Sequence, residues 1–188
     1  MISLLIVALD IFIVVFLVLN IVRLIRVVFM RLKFTKNIKS ICEDKQYVLQ
    51  KHRSFLTSVF HKSDKIDFTV KTDDSVYRVK FIASLSSKKV YHFVDENNYI
   101  TYYKMFFALP MANQTSESTH FLSYHRFPTV KKENNGDKYV LLFNPLPSDI
   151  TYIDRNGSNQ TAGNGSMIGD FYVYNGKGFC SLIKGDSR

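Results

Sequence analysis

From Ile2 to Val22 the chain reads ISLLIVALDIFIVVFLVLNIV, 21 residues broken by one acid, Asp10, and one amide, Asn20. At 1.5 Å rise per residue, such a run makes about 30 Å of helix, the thickness of the hydrocarbon core of a bilayer. A secretory signal would carry positive charge ahead of a shorter apolar segment. Here no Lys or Arg precedes the run, so it reads as an uncleaved anchor. Arg23, Arg26, Arg31, Lys33, Lys36 and Lys39 then follow before the next acid, Glu43. Cations concentrate on the cytoplasmic side of a span, which puts the N-terminus outside and the rest of the chain in the cytoplasm.

Those six cations are the expected membrane-interface residues. Between them lie Leu24, Ile25, Val27, Val28, Met30 and Leu32, so the segment Arg23 to Phe34 can extend the helix with its cations snorkelling, or lie along the interface. Each Lys or Arg near an anionic surface contributes about 1 kcal/mol, so the cluster can also recognise anionic lipid; the alternative, which the sequence favours, is that these cations set topology and nothing more. Inside the run, a carboxylate such as Asp10 costs about 2.5 to 3.5 kcal/mol and requires a partner or a proton. With Asn20 it marks an intramembrane polar pair suited to a homo-oligomer or to another membrane protein.

At 188 residues the chain has room for one domain beyond the anchor: residues 1–33 form the anchor and basic juxtamembrane segment, and 34–188 a single cytoplasmic domain. The fold class is α+β, with a transmembrane helix and an amphipathic stalk helix followed by a mostly antiparallel sheet. The stalk is expected from Phe34 to about His61, where apolar residues recur at three, four and seven. After Ser63 the period becomes two. Ile66–Lys71 and Val76–Leu85 flank the polar turn Thr72–Ser75 as a hairpin, and further strands are expected over Lys89–Val94 and Tyr99–Leu109. The polar segment from Pro110 to about Asp137, with an aromatic insert at Phe121–Phe127, reads as a surface excursion. Tyr139–Phe143 (YVLLF) lacks alternation and is expected to be a central strand buried on both faces. Closing strands DFYVYN and GFCSLI are expected around an Asn175-Gly176 hairpin turn.

This order of a helix, three strands and a late buried strand, with Asp67 on one strand and Lys80 on the next, resembles the core of the restriction-endonuclease-like superfamily over residues 40 to 145. The resemblance implies a divalent-metal site in which Asp67 takes the Asp position and Lys80 the Lys of the Glu-x-Lys tripeptide. Arg78 occupies the Glu position, and a cation there works against Mg²⁺, so the implied site is incomplete. It makes a membrane-tethered nuclease-like protein the alternative reading.

The remaining residues point to no catalytic group, metal or cofactor. His52, His61, His92, His120 and His125 form no HxH or HExxH spacing, no glycine-rich phosphate loop joins a strand to a helix, and Cys42 and Cys180 form no close pair. The net charge of +9 favours anionic partners, but six of the cations belong to the membrane edge, which disfavours nucleic acid. Sequons at Asn113, Asn156, Asn159 and Asn164 matter only on a glycosylating side of the membrane. The chain therefore reads as a single-pass protein carrying a binding or scaffolding module at the cytoplasmic face.

Overall fold

The computed structural model describes residues 2–54, 65–82, 89–94, 98–103, 121–128, 136–144, 146–147, 149–154 and 157–185. Helix α1 (Ile2–Asp44) is one unbroken element of 43 residues, about 65 Å long. The expected anchor and stalk are thus a single rod, as the absence of Gly and Pro across it allows. The rod has two environments. From Leu9 to Val22 its large apolar side chains are exposed, whereas Val27, Arg31, Phe34, Ile38 and Ile41 are buried at alternating steps of four and three that keep them on one stripe, with Cys42 buried beside Ile41.

The rod ends earlier than its apolar period suggests. Gln46 adopts φ 58°, Tyr47 N–H donates to Cys42 O at 2.8 Å, and Gln46 N–H donates to Glu43 O at 3.3 Å. This is a left-handed helix stop of the kind glycine usually provides. The expected helix up to His61 is therefore corrected: strand β1 (Val48–Lys51) follows at once, and residues 55–61 lie outside the described ones.

Beyond the helix lie two mixed sheets. One contains β1, β2 (Phe68–Lys71), β3 (Val76–Ile82), β7 (Lys138–Phe143), β11 (Phe171–Asn175) and β10 (Met167–Ile168), in the order β1-β2-β3-β7-β11-β10. The other has the order β6-β5-β4-β8-β9, from β4 (Lys89–Phe93), β5 (Asn98–Tyr103), β6 (Phe121–Pro128), β8 (Asp149–Ile153) and β9 (Asn159–Thr161). The β2–β3 hairpin and the β4–β5 pair are antiparallel, as expected. The centre is not: β7 runs parallel to both β3 and β11, and β4 runs parallel to β8. The chain steps from the first sheet to the second twice in the same sense, β3 to β4 and β7 to β8, which sets like-directed strands side by side in each sheet.

β7 shows the layering. Val140 and Leu142 face a core shared with Phe34, Ile38, Ile41, Phe68, Val79, Phe81, Phe179 and Ile183. Tyr139, Leu141 and Phe143 face the second sheet, in a core with Tyr91, Phe93, Tyr99 and Ile150. Helices thus cover one face of the first sheet and the second sheet covers the other. As expected, β7 is central and buried on both faces.

Two further expectations are corrected. The aromatic insert is strand β6, paired antiparallel to β5, so this part of the Pro110–Asp137 segment belongs to the sheet. GFCSLI is helical: α2 (Gly176–Lys184) starts with Asn175 as N-cap, its side chain accepting from Gly178 N–H, and stops at Gly185 in the left-handed conformation. Phe179 and Ile183, four apart, are its buried residues. Gly176 is closely approached, since a Cβ there would lie 3.2 Å from the Phe34 ring, tighter than an ordinary van der Waals contact.

Candidate functional site

The structure divides the six sequence-predicted interface cations. Arg23, Arg26, Lys33, Lys36 and Lys39 are exposed, and Lys39 pairs with Glu43 at 3.5 Å on the helix surface. Arg31 is not an interface residue: it is fully buried, with its guanidinium carbon 3.8 Å from the centroid of the Phe81 ring. The cause is its register. Arg31 falls on the stripe of Val27, Phe34 and Ile38, so the helix delivers it into the domain whatever its charge. Burial lowers its pKa to about 10, against the opposing fields of Asp67 and Tyr91, and it stays charged at neutral pH.

Asp67 and Lys80, both buried, lie nearby. Asp67 precedes β2 and stands across from Lys80 on β3, its backbone N–H donating to Val79 O at 2.9 Å. The carboxylate accepts from Phe81 N–H at 2.7 Å through Oδ2, and Oδ1 lies 3.5 Å from Arg53 Nη1. Residues 52 and 53 close over this corner, both donating their backbone N–H to Asp67 O, and His52 Nε2 bonds Thr69 Oγ1 at 2.8 Å. Burial pushes the Asp67 carboxyl above its usual range, outweighing the Phe81 N–H and the cations Arg53, Arg31 and Lys80. Helix α1 and the first sheet are joined here by a buried carboxylate within the field of three cations.

The pair Asp67 and Lys80 that carries the nuclease resemblance is thus brought together. The remaining groups are arranged otherwise. Arg78 Nε donates to Asp137 Oδ2, and Asp73 and Asp74 sit exposed in the turn at the far end of the hairpin. Asp95 and Glu96 lie outside the described residues. Among the described residues, no group of three His, Cys, Asp or Glu side chains is placed to hold a metal ion.

A cavity of about 710 Å³ opens where α1, α2 and the end of β7 meet. Phe29, Met30, Phe34, Phe143, Leu146 and Cys180 give it an apolar lining, while Lys33, Lys177, Asn37, Asn144 and Asn175 bring polar groups to it. Asn144 Nδ2 reaches back to Met30 O at 3.5 Å, bridging the end of β7 to α1. Phe29 is 68% exposed and Leu146 50%, so apolar surface continues from the helix into the cavity wall. Burial raises the Cys180 pKa to about 11, with Lys184 opposing and Cys42 adding to the effect. Sequence reasoning missed this site because its walls come from three separated segments. The spacing of Arg31 within the buried stripe was a signal available in the sequence.

Asn20 donates from Nδ2 to Phe16 O at 2.8 Å and so satisfies part of its amide within its own helix; Asp10 is exposed on the rod. The comparisons with known proteins supply no relative: no protein family, no curated protein and no solved structure matches this chain.

Proposed function

We propose that this is a single-pass membrane protein whose α+β domain is a binding or scaffolding module held against the cytoplasmic face. One observation carries the reading: α1 is long and apolar enough to cross a membrane, and it runs without a break from an exposed apolar surface into a stripe buried in the core of the domain. A helix that continues unbroken from the span into the domain couples the position and tilt of the span to the sheets. The juxtamembrane cations then divide by depth. Arg23 and Arg26 leave the apolar run at once and sit at headgroup level, which accounts for orientation with the domain inside. Lys36 and Lys39 stand about 20 Å beyond Val22 along the helix axis, further than a Debye length at physiological salt. Anionic lipid and a protein partner are the contacts this arrangement favours, the latter through the domain surface or through Asp10 on the rod.

The test is extraction. In an alkaline wash of isolated membranes the full chain stays in the pellet; its release into the supernatant overturns the reading. A nuclease-like activity ranks second. Asp67 opposite Lys80 favours it, and the nearby Arg31 and Arg53 weigh against a bound divalent cation. Magnesium-dependent cleavage of plasmid DNA, abolished by Asp67→Asn, would reverse that order.

A further inference from the structure

We infer that the cavity between α1, α2 and the end of β7 is a site for an anionic glycerophospholipid of the bordering leaflet, its phosphate held by Lys33 and Lys177 and the upper part of an acyl chain lying against Phe29, Met30 and Leu146. The inference rests on the proposed membrane anchoring and assigns a place to the lipid contact.

Three observations converge on this occupant. The first is depth. A bilayer with its headgroups is about 40 to 45 Å thick, or about 27 to 30 helical residues. Counted from Val22, where the apolar run ends, the far headgroup layer of about 5 to 8 Å extends to the level of about Val27, within one helical turn of Phe29 and Met30 at the edge of the cavity. The second is continuity. Exposed apolar residues do not end at Val22 but continue through Ile25, Phe29 and Leu32 to the cavity edge, where Leu146 adds a further exposed apolar group. An acyl chain lying along the span can pass into the cavity without crossing polar surface. The third is charge. Lys33 and Lys177, both exposed, approach the same cavity from different elements, and Asn37, Asn144 and Asn175 add amides able to bond ester and phosphate oxygens. A volume of about 710 Å³ is within the usual range of ligand sites, about 300 to 1,000 Å³.

The experiment uses the full chain reconstituted in nanodiscs of palmitoyl-oleoyl phosphatidylcholine and the matching phosphatidylglycerol at about four to one, released and weighed by native mass spectrometry. One phosphatidylglycerol per chain is expected to be retained in preference to phosphatidylcholine. Lys33→Glu with Lys177→Glu lowers that retention by about tenfold. Ser181→Trp, which fills the cavity from an exposed position, lowers it without altering charge. Lys39→Glu with Lys71→Glu makes the same charge change at exposed positions that do not line the cavity and leaves retention within about twofold. Equal loss in both charge-reversed pairs, retention unchanged in Ser181→Trp, or a lipid-free dimer would each overturn the site. An alkaline wash of the same wild-type membranes separates the two levels: a chain that leaves the membrane defeats the anchoring, whereas one that stays without binding phosphatidylglycerol defeats the cavity alone.

Discussion

The two halves of α1 are covalently one helix and physically two different objects. From Leu9 to Val22 large apolar side chains are exposed around the rod, as in a helix covered by lipid; from Val27 to Ile41 one stripe is buried at alternating steps of four and three, as in a helix covered by a sheet. The difference shows that apolarity alone does not define the anchor. Burial does, and it changes over about one and a half turns between Val22 and Val27.

That comparison can be broken from either side. Phe34 is buried against the rings of Phe68 and Phe81, at centroid distances of 6.2 and 5.3 Å. We expect Phe34→Ala to destabilise the domain by about 3 to 5 kcal/mol in urea unfolding while membrane retention stays unchanged. Leu17→Arg should do the reverse, weakening insertion by about 3 kcal/mol in an insertion assay and leaving the unfolding midpoint of the domain in place. If either substitution affected both properties equally, the two halves would not be separable.

A third substitution tests the joint. Asp67→Ala removes the carboxylate that lies in the field of Arg31, Arg53 and Lys80, and we expect about 3 kcal/mol of destabilisation, read as a lower denaturation midpoint. A smaller, pH-dependent effect belongs to Cys180. Its pKa is raised in the folded state, so the thiol contributes stability that is present below pH 9 and lost as pH rises towards 11. Cys180 is partly exposed, so solvent screening leaves an effect of about 1 kcal/mol or less. Cys180→Ser should flatten the stability profile in that window. The smallest effect is at Lys39, whose pair with Glu43 is well exposed on both sides. Lys39→Ala should change stability by about 0.5 kcal/mol or less.

Much of the sheet was legible in the sequence, because alternation and polar turns are local signals. The β2–β3 hairpin follows from Ile66–Lys71 and Val76–Leu85 around Thr72–Ser75, and the central place of β7 follows from five consecutive apolar residues. What escaped the sequence reading depended on signals with two meanings or on distant segments. Asn175-Gly176 suits both a hairpin turn and a helix start, and only the four-residue step from Phe179 to Ile183 separates them. The end of α1 at Gln46 was hidden because the left-handed stop uses a residue other than glycine. β8 follows the Pro147 break so closely that Asp149–Ile153 carries little pattern of its own. Of the site, the exposed cations were legible as a cluster, but Arg31 was grouped by proximity in sequence when the helical period assigns it to the core. The cavity requires the end of β7 and the start of α2 to meet α1, and no local pattern encodes that meeting.

The central claim is that one continuous helix holds this domain at the cytoplasmic face, and the direct measurement is thiol labelling from outside the cell. Ser158 is exposed near the start of β9, away from the cavity. In a Cys42→Ser, Cys180→Ser background, Ser158→Cys should react with a membrane-impermeant maleimide only after permeabilisation. Modification in intact cells would place the domain outside, contradict the orientation drawn from Arg23 and Arg26, and move the search for its partner to the opposite face of the membrane.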